Sequence, residues 1–240
     1  LVTSGWKVGT VTATRTQTPT GRSIDLAVPG WPGNVAGQHV DVRLTAPDGY
    51  RAVRSYSLAS SGPGESIQLA VDRLPEGEVS PYLVDDLRPG DQLEFRGPLG
   101  GWFVWRPEQV ENVQLIGGGS GVVPLVAMVR SHAASGSAAK FRLLYSVRAP
   151  EDAFFADELA ALESDTFELT WAYTRAVPAG WPAAPGRVNR ELVERVTFAP
   201  SPNLTTFICG PTGFVEAVSN ILVDTGHDPA RVKTERFGGA

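Results

Sequence analysis

Eight consecutive residues, Arg54-Ser55-Tyr56-Ser57-Leu58-Ala59-Ser60-Ser61, concentrate a fixed cation, an aromatic ring and several hydroxyls. Alternation over residues 54–58 reads as a strand, with Arg54, Tyr56 and Leu58 on one face and Ser55 and Ser57 on the other. An arginine offers a planar fork to a phosphate, and a tyrosine offers a flat face with a hydroxyl at its tip. The set suits a cofactor that carries a phosphate, a flat ring and ring heteroatoms. It suits equally an ordinary half-buried strand with a surface arginine, because hydroxyl-rich strands are common.

Other stretches carry chemistry of their own. Gly117-Gly118-Gly119-Ser120-Gly121-Val122-Val123-Pro124 follows an apolar run and opens a helical pattern. Glycines there let a phosphate approach the backbone, and the helix end attracts its charge. The stretch departs from the Gly-x-Gly-x-x-Gly fingerprint of dehydrogenases, since Pro124 stands where the third glycine would be. Gly77-Glu78-Val79-Ser80 reads as a turn into a short helix at residues 80–87, with Ser80 as N-cap and Pro81 at the first helical position. Its free N–H groups would donate to a pyrophosphate or simply to a cap. Tyr145-Ser146-Val147-Arg148 and Tyr173-Thr174-Arg175 each end a strand pattern with a hydroxyl and a cation, suited to a phosphate or to the surface. Cys209 is the single cysteine, by default a small buried apolar residue. His39, His132 and His227 show no metal-ligand spacing and read as structural or surface residues.

Two different patterns position these residues. Up to about Arg106 six short strands are expected, at residues 7–16, 23–28, 38–45, 54–59, 66–74 and 92–96, separated by Gly/Pro/Asn/Asp clusters, which suggests a sandwich or a closed barrel. From residue 107 strands and helices alternate. Strands are expected at 113–116, 141–147, 166–174, 205–209 and 231–236, and helices at 122–132, 153–162, 190–196 and 213–225. Residues 133–139 read as a loop. Repeated βα units imply a parallel sheet covered by helices, doubly wound. The expected domains are therefore 1–106 and 107–240.

Composition narrows the class. A 240-residue chain with a formal net charge of −5 and no block of like charge argues against nucleic acid or an anionic membrane as the main partner. No apolar run approaches a membrane span and the start shows no secretory signal, so a soluble cytoplasmic protein is expected, with a native start that could differ because Met is absent. One cysteine excludes an internal disulfide, a Cys-rich zinc site and a four-cysteine iron–sulfur cluster.

Four stretches resemble, in order, the signatures of the ferredoxin–NADP reductase superfamily: Arg54-Ser55-Tyr56-Ser57, Gly117–Pro124, Cys209-Gly210-Pro211 and Glu235-Arg236-Phe237-Gly238. Within that superfamily the chain is most similar to the small bacterial reductases that feed oxygenases, without their iron–sulfur domain. The resemblance implies a six-stranded antiparallel flavin barrel followed by a doubly wound nicotinamide-nucleotide domain. It implies FAD, with FMN as the alternative, and NADPH or NADH as cosubstrate.

The resemblance also distributes roles. Arg54 would hold the flavin phosphate, Tyr56 would pack on the ring, and Ser57 would bond near its reactive nitrogen, with Ser55 beside them. Val71 and Arg73 would lie along the flavin, with Gly77, Val79 and Ser80 at its pyrophosphate. Gly119, Gly121 and Pro124 would receive the nucleotide phosphates. Ser146, Arg148, Thr174 and Arg175 would grip the adenosine end, with Thr174-Arg175 favouring the 2′-phosphate of NADPH. Cys209, Gly210 and Pro211 would place the nicotinamide. Glu235 would set the proton balance at the reduced ring, and Phe237 would lie against it. Gly97-Pro98-Leu99-Gly100-Gly101 is similar to a structural turn that closes the first domain. The expected acceptor is a separate ferredoxin or oxygenase-type protein, met by a basic patch drawn from Arg51, Arg54, Arg73, Arg88, Arg96 and Arg106. The alternatives are a free-flavin or quinone reductase without a protein partner, and a non-catalytic flavin- or nucleotide-binding subunit.

Overall fold

The computed structural model describes residues 5–237. Six strands form the first sheet: β1 (Lys7–Thr18), β2 (Gly21–Ala27), β3 (His39–Thr45), β4 (Arg51–Ser57), β5 (Ser66–Asp72) and β6 (Gln92–Leu99). They pair in the order β4-β3-β6-β1-β2-β5, antiparallel where they adjoin. The two outer strands meet just beyond β4, where Leu58 bridges Leu69 and Ala59 N donates to Gln68 O at 2.8 Å, so the sheet closes on itself. Period-2 alternation fills the barrel. Ile24 and Leu26, Val40 and Val42, Ile67 and Leu69, and Leu93 and Phe95 all point inward and are buried.

Two local expectations are corrected in this half. The helix expected at residues 80–87 is a π-helical turn, Tyr82–Asp86, entered through Pro81. Ser80 does not cap it, because its hydroxyl accepts from Leu74 N at 3.0 Å and so ties the preceding turn. Burial of Leu83, Val84 and Leu87 against the barrel sets this geometry in place of the local capping preference. The expected turn at Gly97–Gly101 is in part strand: Gly97, Pro98 and Leu99 belong to β6, and the chain turns only at Gly100, where φ is +89°. The register shifts here, with Gly97 and Pro98 of β6 opposite the single residue Val40 of β3, so Pro98 owes the ladder no N–H, and Val40 leaves no room for a Cβ at Gly97.

The second sheet is wholly parallel. It comprises β7 (Asn112–Gly118), β8 (Phe141–Val147), β9 (Phe167–Tyr173), β10 (Leu204–Pro211) and β11 (Val232–Phe237), in the order β11-β10-β7-β8-β9. Helices α1 (Val122–Ser135), α2 (Ala156–Ala161), α3 (Arg190–Val196) and α4 (Thr212–Asp224) cover it. The order reverses between β7 and β10, and open α/β sheets bind ligands at such a point. Both faces are buried: Leu115, Tyr145 and Phe207 pack on one side, and Ile116, Leu144 and Ile208 on the other.

Two helices differ from their expected extents. α1 runs on through the expected loop to Ser135 and stops where Gly136 turns left-handed at φ +65°. Residues 122–129 are buried on every side, so an apolar stripe understates α1. The helix expected at 153–162 is split into a short 3-10 turn at Pro150–Asp152 and α2. Phe155 takes φ +55° between them, because Phe154 is drawn toward the barrel, where its ring fills the space beside Gly21.

One continuous core joins the two sheets. Ala36, Ala59 and Ala70 of the barrel half pack with Phe103 and Trp105 of the connecting stretch and with α1. Trp105 is fully buried, its ring edge-on to Phe141 with centroids 5.0 Å apart, and its backbone N–H donates to Ala36 O at 3.1 Å. Arg130 of α1 pins the same seam: it forks onto Glu158 at 2.6 and 2.7 Å, and its Nη1 reaches Ala59 O and Gln68 Oε1, both at 2.8 Å. Trp105→Ala is therefore expected to lower stability by about 3–5 kcal/mol and to affect both halves together. Urea unfolding followed by barrel and α/β probes checks this; a loss confined to one half would show the seam to be dispensable.

Candidate functional site

A cleft of ≈ 300 Å³ lies between the barrel and the opening turn of the second domain. Arg54, Ser55, Tyr56 and Ser57 of β4 form one wall, and Val71 and Asp72 of β5 stand beside them. Leu74, Gly77, Val79 and Ser80 bound one side, Ser120 and Val123 come from the second domain, and Phe237 from the end of β11. The turn at Gly77 must be tight, since a Cβ there would lie 2.9 Å from Ser80 Oγ and 3.2 Å from Leu74 O.

The β4 residues are not equivalent. Tyr56 is half-buried against the barrel core, and burial pushes its phenol up to about 12, so it remains a hydrogen-bond donor at neutral pH. Ser55 Oγ is committed to Asp41 Oδ1 at 2.7 Å, and Arg96 takes the other oxygen at 2.6 Å. Burial works against ionisation of Asp41, but these bonds hold it below the usual carboxylate range. Ser57 has no side-chain bond among the described residues. Arg54 donates to Val53 O at 2.8 Å and forms an ion pair with Glu78.

The second-domain wall is set by glycines. Gly117 and Gly118 end β7, and Gly119 turns with φ +56°. A Cβ on Gly121 would lie 2.3 Å from Cys209 O, so the turn rests directly on the backbone of β10. Pro124 is buried in the first turn of α1. Cys209, Gly210 and Pro211 form the end of β10, with Cys209 in register with Gly117 on one side and Glu235 on the other. Burial, followed by the charge of Glu235, pushes the Cys209 thiol well up, so it is an uncharged packing group and not a nucleophile. Burial pushes Glu235 up to about 7. The Phe214 ring lies over Gly118 and Gly210, within 2.8 Å of where a Cβ would stand on either.

The remaining candidates separate from the cleft. Ser146 is buried at the end of β8, in register with Gly118. Arg148 and Arg175 are exposed and tied by their backbones: Thr174 N donates to Val147 O at 2.9 Å and Arg175 N to Arg148 O at 2.8 Å. These four residues therefore gather at the carboxyl edge of the sheet. Arg73 points to Asp85, 2.7 Å away, and does not line the cleft. Of the arginines expected to form a basic patch, Arg54, Arg73 and Arg96 are each paired with a carboxylate, and Arg88 is turned onto the carbonyls of Asp85 and Leu87. The tail motif is described up to Phe237; Gly238 lies outside the described residues. His132 and His227 bond backbone carbonyls, Ala139 O at 2.8 Å and Phe198 O at 3.1 Å. Sequence reasoning missed Glu78, Leu74, Ser120 and Val123 as cleft-lining groups; all but Leu74 stood inside a quoted motif.

The cleft fits a flavin on chemical grounds. It offers a half-buried aromatic ring, a free serine hydroxyl, apolar walls from Val71, Val79 and Val123, and one guanidinium. The edge holding Gly117–Gly121 fits a dinucleotide phosphate by the close approach its missing side chains allow.

Comparison with known proteins gives the same two cofactor classes. Residues 31–104 match the family described as oxidoreductase FAD-binding domain, and residues 115–220 match the oxidoreductase NAD-binding domain. NADH-cytochrome b5 reductase 1 of Aspergillus terreus is 30% identical over 205 residues, spanning 81% of this chain and 68% of that protein. The glycine betaine monooxygenase reductase subunit of Pseudomonas aeruginosa is 31% identical over 209 residues, spanning 84% of this chain and 56% of that one. The FAD/NAD-binding domain of nitric oxide dioxygenase from Vibrio cholerae superposes with a TM-score of 0.85 at 25% identity, covering 98% of this chain and 100% of that domain. The matched stretch spans less than two-thirds of the length of several fungal NADH-cytochrome b5 reductases. The chain belongs to the ferredoxin–NADP reductase-like family of oxidoreductases, with an FAD-binding barrel followed by an NAD(P)-binding α/β domain.

Proposed function

We propose that this chain is an FAD-dependent NAD(P)H reductase that takes hydride from NADPH, or NADH, and passes electrons to a separate redox protein. The observation that carries this reading is the cleft itself, where β4 of the flavin domain faces Ser120 and Val123 of the nucleotide domain across a gap closed by Phe237. Hydride transfer needs two rings held near contact, so positioning supplies most of the catalysis. A bound flavin supplies the conversion between paired and single electrons.

The residues of the chain do the rest. Arg54 binds phosphate, with Gly77, Val79 and Ser80 at the neighbouring turn. Tyr56 and Phe237 pack against a flat ring, and Ser57 offers a hydroxyl to a ring heteroatom. Gly119, Gly121 and Pro124 shape the turn that receives the dinucleotide. Cys209, with Gly210 and Pro211, fixes the nicotinamide by shape. Glu235 holds a proton beside them, because its buried carboxyl titrates near neutrality. Exposed Arg148 and Arg175, held side by side next to Ser146 and Thr174, favour a 2′-phosphate and hence NADPH.

The electron acceptor is best read as a ferredoxin, oxygenase-type or haem protein. The buried Cys209 is the sole cysteine, so these residues cannot hold a four-cysteine cluster. Support for an oxygenase-type partner comes from the Pseudomonas relative, itself a monooxygenase reductase subunit. Among the described residues no helix is long and apolar enough to cross a membrane.

Anaerobic titration tests the whole reading. The protein should be yellow and should bleach faster with NADPH than with NADH; a protein that stays colourless after incubation with FAD and FMN overturns it. Arg175→Ala should raise the KM for NADPH about tenfold, the scale of one charge-assisted bond, and leave that for NADH nearly unchanged. Equal effects on both coenzymes remove Arg175 from phosphate recognition. Glu235 makes a pH prediction. Its folded value of about 7 lies above its ordinary 4.5, so the folded state binds the extra proton and stability is lost as pH rises from 4.5 through 7. Wild type should lose up to about 3 kcal/mol relative to Glu235→Gln over that window, measured by urea unfolding at fixed pH values. Parallel pH profiles for the two proteins would show that Glu235 does not titrate there.

A further inference from the structure

Among the side chains lining the cleft, Arg54 is the one cation, and Asp72 and Glu78 are the carboxylates. Asp72 is engaged elsewhere, accepting from the Thr20 hydroxyl at 2.7 Å. Glu78 is engaged with Arg54. One of its oxygens takes the Arg54 Nη2, and the other accepts from the Tyr50 hydroxyl at 2.8 Å. That bond, and the charge behind it, raise the Tyr50 phenol above its ordinary value. Tyr50 stands just before β4, and Glu78 and Tyr50 also line a second groove of ≈ 530 Å³ on the far side of the carboxylate. Glu78 therefore forms a wall shared by two openings. Its pair with Arg54 is open to solvent, the two side chains being 45% and 53% exposed, and exposed pairs contribute little to stability.

We propose that Glu78 is a built-in competitor for the anionic end of the flavin, so that cofactor entry exchanges Arg54 from carboxylate to phosphate. The inference rests on the assignment of Arg54 to the flavin phosphate. Arg54 already spends Nη1 on Val53 O and Nη2 on Glu78, so its fork is not free for a phosphate until Glu78 lets go. Two anions cannot share one guanidinium without mutual repulsion. Tyr50 gives the displaced carboxylate a donor on the side of the second groove, so Glu78 swings without becoming an unpaired charge in the cleft. Glu78 thus lowers flavin affinity in two ways: it occupies the guanidinium that would hold the phosphate, and its charge opposes the incoming phosphate.

The test is a titration of the flavin-free chain with FAD and with riboflavin, read by flavin fluorescence. Wild type, Glu78→Gln, Arg54→Ala and the double variant are compared at low and high NaCl. Exposed ion pairs change equilibria by up to about fivefold, so Glu78→Gln should bind FAD about threefold to fivefold more tightly than wild type. The gain should shrink at high salt, where the repulsion is screened. Riboflavin, which has no phosphate, should bind wild type and Glu78→Gln alike. In the Arg54→Ala background the gain should fall, because the guanidinium for which the anions compete is gone. Unchanged or weaker FAD binding by Glu78→Gln overturns the proposal, as does an equal gain for riboflavin. FAD binding undiminished by Arg54→Ala overturns the phosphate assignment and the proposal with it, whereas failure of wild type to bind either flavin overturns the flavin site itself.

Discussion

The close approach of Gly121 to the backbone of β10 is the constraint on which the site depends. No side chain fits between this turn and Cys209 O. Because the turn seats there, α1 starts in the crevice between β7 and β10, at the point where the strand order reverses. Because α1 starts there, Ser120 and Val123 reach the barrel cleft from the other domain. The same contact leaves Cys209 buried behind the turn, one strand away from Glu235. A single absent Cβ thus sets the distance between the flavin cleft and the nucleotide edge.

Charge around the cleft is arranged so that few groups are ionised without a partner. Ser55 and Arg96 hold Asp41 as a carboxylate, while burial keeps the Cys209 thiol neutral. Glu235 differs, since nothing offsets its desolvation and its proton is held to near neutrality. The result is a site with a fixed cation on one side and a titrating acid on the other. That division suits chemistry in which a phosphate is anchored at one end and a proton is managed at the other.

Much of this architecture was legible because it is written in periodic or repeated patterns. The period-2 strands and the strand–helix alternation located both sheets, and Arg54–Ser57 read as a strand carrying a cation, a ring and hydroxyls. What the sequence did not disclose depends on distant partners. Glu78 is one acid in a turn, with no pattern to mark it, and its role emerges only beside Arg54 and Tyr50. The split at Phe155 reflects the space that Gly21 opens for Phe154, more than a hundred residues away in sequence. Arg130 stands on a helix that otherwise reads as apolar, and its two bonds across the seam, to Ala59 O and Gln68 Oε1, follow from docking alone. The arginines expected to attract a partner are largely committed to neighbouring acids or carbonyls, which a count of charges cannot reveal.

The seat of Trp105 has a consequence for exchanging parts between relatives. The indole leaves the barrel's connecting stretch yet packs on Phe141 and His132 of the other half, while the backbone N–H of Trp105 is held by Ala36 O. A chimera cut between β6 and β7 would therefore transplant a plug without its socket. Grafting a foreign nucleotide domain onto this barrel requires carrying Ala36, Phe103 and Trp105 as a matched set with α1. The two halves look like interchangeable modules along the chain, but in space they are one casting.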